Sequence, residues 1–141
     1  MNGCTGITNV DALGGVYELN LSGCTGITNA SKLVGCKILG LSNCTSLVCI
    51  RDLPNVHELD ISNCTNIKEV INLPSLTALI ARNCSRIQVI RSLPKLQSLD
   101  AYNCIRLVEL SNISDYLPDL DLRECKALKE IKGRKKTIKL R

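Results

Sequence analysis

The chain of 141 residues has no tryptophan and no phenylalanine, and its only aromatic residues are Tyr17, Tyr102 and Tyr116. A close-packed core without large rings must be built from small branched side chains, in many similar layers. No apolar run approaches the roughly 18 residues of a membrane helix. The first residues, Met1 to Cys4, have neither the basic nor the apolar region of a secretory signal. These absences predict one globular domain over residues 1–141, without a membrane span, in the cytoplasm with reduced thiols.

Nine cysteines are many for such a chain, and seven of them mark an internal repeat. They lie 20 residues apart, with one final step of 21, at Cys4, Cys24, Cys44, Cys64, Cys84, Cys104 and Cys125. Aliphatic residues recur with them, for example at Ile67, Val70, Leu73, Leu76, Leu79 and Ala81 after Cys64. Cys36 falls in one of these apolar columns, so Cys49 alone stands outside the core pattern.

The spacings within each repeat indicate its backbone geometry. Leu59 and Ile61 are two residues apart, which is the period of a strand. The other apolar residues are three apart, and Leu-Pro pairs such as Leu53-Pro54 disfavour the α region. We therefore expect about seven coils, each with one strand and a mostly non-helical return path. Stacked coils would join their strands into one parallel sheet.

The string from Val56 to Cys64 resembles the leucine-rich repeat signature, with an aliphatic residue at each leucine site and cysteine at its last site. Cys24-Thr25-Gly26-Ile27-Thr28 is similar to the cysteine-containing subclass, and short arrays of this kind resemble proteins of large DNA viruses and of protists. The resemblance covers the whole chain. It implies an α/β-type, right-handed leucine-rich repeat solenoid with a concave parallel sheet and a convex side of 3₁₀ and extended segments. It also implies a protein partner bound on the concave face, and no catalysis.

The cysteines have three readings. Stacked cysteines would lie within the Cα distance that a disulfide allows, but identical turns point their side chains in parallel. Zinc is disfavoured because no Cys-x-x-Cys pair is present and His57 is the only histidine. We expect a ladder of buried free thiols that donate to backbone carbonyls of the turn, with no metal and no cofactor. Asn43, Asn63 and Asn83 head sequons, but their recurrence indicates a turn that needs asparagine.

The concave face supplies the candidate partner-binding residues. Positions that flank the two inward residues of each strand should face solvent there. Tyrosines are typical interface anchors, and charged residues form a stripe across neighbouring strands. The candidate residues are Tyr17, Glu18, Lys37, His57, Glu58, Asp60, Arg82, Asp100, Tyr102, Asp121 and Arg123.

No catalytic residues are predicted. Glu58 with Asp60 and Asp119 with Asp121 are carboxylate pairs of a kind common on exposed strands. His57 has no defined nucleophile nearby, and no glycine-rich phosphate loop is present. We therefore expect a non-enzymatic module.

The positive charge is concentrated at one end. Residues 126–141 contain eight basic residues and one acidic residue, a net charge of +7, whereas residues 1–125 carry −2. A polar terminal coil that caps the core is the favoured interpretation. The alternative is binding of nucleic acid or another acidic surface through this end. Its candidate residues are Lys132, Arg134, Lys135, Lys136, Lys139 and Arg141.

The opposite end has no evident cap. Cys4, Ile7, Val10 and Leu13 would form an exposed first layer. We expect a monomer, or a weak homodimer that associates edge to edge through this coil.

Overall fold

Alternation at the end of each repeat produces a strand of three residues, as predicted. The computed structural model describes residues 3–140. In the first sheet, each central residue is a leucine that points inward and pairs with the leucine of the next coil. This sheet contains six parallel strands: β1 (Glu18–Asn20), β2 (Ile38–Gly40), β4 (Glu58–Asp60), β6 (Ala78–Ile80), β8 (Ser98–Asp100) and β10 (Asp119–Asp121).

The prediction of a single sheet is wrong, because the return path forms a second one. Its strands are centred on the column of Ile50, Val70 and Ile90, where the spacing of three residues still allows an extended segment in each of these later coils. Stacking brings these segments to the distance at which strands pair. The second sheet contains β3 (Cys49–Arg51), β5 (Glu69–Ile71), β7 (Val89–Leu93), β9 (Glu109–Ile113), β11 (Glu130–Gly133) and β12 (Thr137–Lys139).

Within residues 3–140, the first two coils contribute no strand to the second sheet. There the Oδ1 atoms of Asn9 and Asn29 accept hydrogen bonds from the amides of Asp11 and Ser31, at 2.8 and 2.7 Å. Such Asx turns bend the chain where later coils are extended. The helical structure in the described part of the chain is one 3₁₀ turn at Asp11–Leu13. The expectation of very little helix is therefore confirmed.

The cysteine column forms the expected ladder in the core. The thiol of Cys64 donates to the carbonyl of Leu41 at 3.0 Å, and that of Cys84 donates to Ile61 at 3.1 Å. Each acceptor belongs to the preceding coil, so the thiols link successive coils. None of the nine cysteines, all of which lie within the described residues, forms a disulfide; Cys36 is buried, and Cys49 is half-exposed on the outer face of β3.

The residue before each repeat cysteine has a left-handed backbone. Asn63, Asn83 and Asn103 have φ near +60°, a region that asparagine and glycine tolerate best. Their side chains bond to one another along the solenoid, with Asn83 Nδ2 3.0 Å from Asn63 Oδ1 and Asn103 Nδ2 3.1 Å from Asn83 Oδ1. The predicted need for asparagine thus has two causes, the turn and the ladder.

The solenoid has about six turns rather than seven. After β11 the chain reverses, and β12 pairs antiparallel with β11 instead of continuing to the first sheet. The first sheet therefore ends at β10 within residues 3–140. Leu120, predicted to lie in the core, is 38% exposed because no coil covers it. Leu117 and Leu122 beside it are only partly buried.

The first layer is less exposed than expected. Val10 is buried, and Cys4, Ile7 and Leu13 are partly buried against the core.

Glu124 is the one acidic residue in the left-handed column, with φ of 65°. Glu124→Asn should raise the free energy of unfolding by about 0.5–1 kcal/mol, because asparagine adopts this conformation more readily. Urea unfolding measures the change. Glu124 also lies 2.9 Å from Lys126 Nζ, so Lys126→Ala serves as the control that removes the ion pair alone. A less stable Glu124→Asn variant would contradict this account of the turn.

The thiol ladder should make the fold sensitive to alkali. Burial raises the pKa of Cys44 to about 11 and those of Cys64 and Cys104 to about 12, from an ordinary value of 9.0. Because the folded-state pKa values are raised, their stabilisation is complete below pH 9 and is lost above it. Each such thiol should lower the free energy of unfolding by up to about 1.4 kcal/mol per pH unit.

Urea unfolding between pH 8 and pH 10 tests this sensitivity. Burial also raises the pKa of Cys84, so the stability of Cys84→Ala should fall less between pH 8 and pH 10 than that of the wild type. The variant should be less stable than the wild type at pH 8, so its change with pH is measured from its own value at pH 8. Equal stability of the wild type at pH 8 and pH 10 would contradict the protonated ladder.

Candidate functional site

The outer face of the first sheet is built on turn-capping side chains. At the last strand position, Asn20, Asp60, Asp100 and Asp121 accept a hydrogen bond from the amide two residues later, at 2.9–3.1 Å. This Asx geometry stabilises the turn that follows each strand. Much of the predicted charged stripe therefore has a structural role.

A shallow groove of about 190 Å³ crosses strands β1, β2, β4 and β6 on this face. Its floor includes Ile38, Gly40, Ala78 and Ile80. Three predicted site residues line it and carry the only charges in the lining, namely Glu18, Glu58 and Asp60. In register, Ile38 lies between Glu18 and Glu58 on the neighbouring strands. The groove therefore combines an apolar floor with acidic walls.

Five other predicted residues form a cluster beside the groove, the arginine–tyrosine cluster. The Tyr102 ring lies between two guanidinium groups, with centroid distances of 5.1 Å to Arg82 and 5.4 Å to Arg123. Arg82 Nη1 is 2.8 Å from Asp100 Oδ2, and Arg123 Nη2 is 2.7 Å from Asp121 Oδ2. The Arg123 side chain and amide hold the pKa of Asp121 at about 2. The cluster is thus an ordered, charged aromatic surface.

The remaining predicted face residues lie toward the first coils. The Lys37 ammonium is 5.3 Å from the centroid of the Tyr17 ring, which is 61% exposed. His57 is exposed, and its Nδ1 lies 2.7 Å from the Asn55 carbonyl oxygen. These contacts place Tyr17 and Lys37 next to Glu18 at one end of the groove.

The predicted basic residues lie on the hairpin formed by β11 and β12. Lys132 and Lys139 both contact the Glu130 carboxylate, which holds its pKa below the ordinary value. Arg134, Lys135 and Lys136 occupy the exposed turn between the strands. The Asp115 carboxylate accepts hydrogen bonds from the amides of Lys135 and Lys136 and so fixes this turn. Arg141 lies outside the described residues.

Residues 3–140 contain no cluster of three or more histidine, cysteine or acidic side chains that could hold a metal ion. In the same part of the chain, no helix is long and apolar enough to cross a membrane. Comparisons with models of protein families, with curated proteins and with solved structures find no match to this chain.

Sequence reasoning missed the groove. The residues predicted for the partner-binding face include none of Ile38, Gly40, Ala78 and Ile80. The available signal was a break in the repeat. Gly40 and Ile80 occupy positions that hold asparagine or aspartate in the other four coils.

Proposed function

We propose that the protein is a non-enzymatic module of leucine-rich repeat type that binds a protein partner on the outer face of the first sheet. This is the face that the resemblance predicts to be concave. The groove and the arginine–tyrosine cluster are the two parts of the proposed surface.

The observation that carries the proposal is the loss of the turn cap at two of six positions. Ile80 is 42% exposed where Asp60 and Asp100 cap their turns on either side. Glycine within a strand is also unfavourable for the fold, and Gly40 is the second departure. Positions that break a local rule without benefit to stability mark function. Both departures lie on the floor of the same groove.

The arginine–tyrosine cluster supports the same face. Tyrosine and arginine are, with tryptophan, the residue types enriched among the side chains that contribute most to binding at protein interfaces. Stacking and ion pairing hold these side chains in place before any partner binds, so little side-chain entropy is lost on association.

A peptide selection tests this function. Random peptides displayed on phage would be enriched on the immobilised protein and then titrated individually. Ile80→Asn and the double variant Arg82→Ala/Tyr102→Ala should each weaken binding at least tenfold. The asparagine of Ile80→Asn can cap the amide of Arg82 as in the other coils, so the fold should not lose stability.

Val108→Asn is the matched control, because Val108 is 58% exposed and lies just before β9 in the second sheet. Its affinity for the selected peptides should equal that of the wild type. Peptides that bind both face variants as well as the wild type would place the binding surface elsewhere.

The second candidate function is binding of nucleic acid through the basic hairpin. The observation that favours it is the fixed turn of Arg134, Lys135 and Lys136, whose side chains form no ion pair within residues 3–140. Cations that are exposed and unpaired are those that replace counterions on phosphates.

Chromatography on heparin, followed by titration of duplex DNA, tests this candidate. Serine in place of all three cations should weaken DNA binding at least tenfold and reduce the slope of log affinity against log salt by up to about 3. The control is a variant of equal net charge, with serine in place of the exposed Arg86, Arg91 and Arg106. Equal behaviour of the two variants would show an effect of net charge alone and would contradict a site on the hairpin.

A further inference from the structure

The C-terminal end of the solenoid is half of a seventh layer. On the second sheet, β12 adds to β11 and places Ile138 beside Ile131. On the first sheet no strand follows β10 within residues 3–140. Between the two lies a cleft of about 250 Å³ lined mainly by apolar side chains, including Leu117, Leu120 and Ile138. The open half of this layer lies where one more strand of the first sheet would pair with β10.

The edge of β10 presents backbone groups in a known pattern. In each earlier coil, the amide just after the strand donates to the next coil, as from Leu21 to Gly40 and from Ala81 to Asp100, at 2.8 and 2.7 Å. The carbonyl just before the strand accepts from two amides of the next coil, as the Thr77 carbonyl does from Gln97 and Ser98 at 2.8 and 3.0 Å. The equivalent groups on β10 are the Leu122 amide and the Pro118 carbonyl. A parallel strand on this edge would continue the same ladder.

Charge narrows the kind of segment that fits. Lys136 lines the cleft, and its ammonium forms no ion pair within residues 3–140. Asp115 is the other charged residue of the lining; its carboxylate accepts hydrogen bonds from the amides of Lys135 and Lys136 and attracts their ammonium groups without forming an ion pair with either. A carboxylate on the incoming segment would therefore complement Lys136.

We infer that the free edge of β10 and the cleft beside it dock an extended segment of a partner protein. The segment adds as a parallel strand, directs two aliphatic side chains, two residues apart, into the cleft, and carries a carboxylate that faces Lys136. This is strand addition to an exposed sheet edge. The site is separate from the groove on the sheet face, and Ile80→Asn distinguishes the two, although β10 also carries Asp121 of the arginine–tyrosine cluster.

The probe is a labelled decapeptide with the sequence of residues 94–103, the segment that contains β8 and pairs with the other edge of β10. Lys95→Asp in this peptide supplies the carboxylate. Fluorescence anisotropy should show saturable binding to the full chain. Leu120→Lys should weaken it at least tenfold, and Ile80→Asn should leave it unchanged. Leu120 is exposed enough for the lysine variant to fold, which its melting temperature would verify.

Two further arms test the backbone and the charge. N-methylation of the peptide at the positions of both Gln97 and Ser98 removes the two donors that would reach the Pro118 carbonyl and should abolish binding. Lys136→Glu should weaken binding of the Lys95→Asp peptide about tenfold. The peptide that keeps Lys95 should bind this protein variant with the affinity that is lost.

Three results would overturn the inference. The first is binding that survives Leu120→Lys and is lost with Ile80→Asn, which would place the peptide in the groove. The second is equal binding of a scrambled peptide. The third is a concentration-dependent dimer, by sedimentation, that Leu120→Lys converts to monomer, because the occupant would then be a second copy of this chain.

Discussion

The constraint on which the structure depends is that the coils repeat, so that most side chains stack on the equivalent residue one coil away. A column is stable only if identical or similar side chains can pack against one another at the distance between neighbouring strands. Leucine and isoleucine pack in this way in the core, and cysteine fits where the chain turns and a carbonyl lies within reach of the thiol. Asparagine fits the turn because one amide group both donates and accepts. Large rings are absent from such thin layers.

The same constraint explains which parts of the fold could be predicted from the sequence. The 20-residue period and the inward leucines identified the first sheet, and the spacing of the cysteines identified the thiol ladder. The second sheet was missed because a spacing of three residues fits several extended conformations. What decides between strand and turn is the residue before that column, which is Asn29 in one coil and Glu69 in a later one. A strand of three residues leaves too little periodicity to show this difference.

The end of the array was unpredictable for another reason. The alternation of Thr137, Ile138 and Lys139 indicates a strand in either direction, and nothing local shows that it pairs antiparallel with β11. That choice depends on Asp115, which holds the hairpin turn through two amides about 20 residues away. Because the chain reverses there, the second sheet gains an antiparallel strand and the first sheet keeps an open edge.

The candidate surfaces arise where self-stacking is interrupted. Gly40 and Ile80 interrupt the capping column, and the groove lies there. The hairpin interrupts the layers, and the cleft beside β10 lies there. Asp60 in the groove and Asp100 in the arginine–tyrosine cluster also have a structural role because they cap the turns of the repeat. In a solenoid of near-identical coils, a residue that matches its column is explained by stacking. A residue that departs from its column needs another explanation, and a partner supplies one where the departures share a surface.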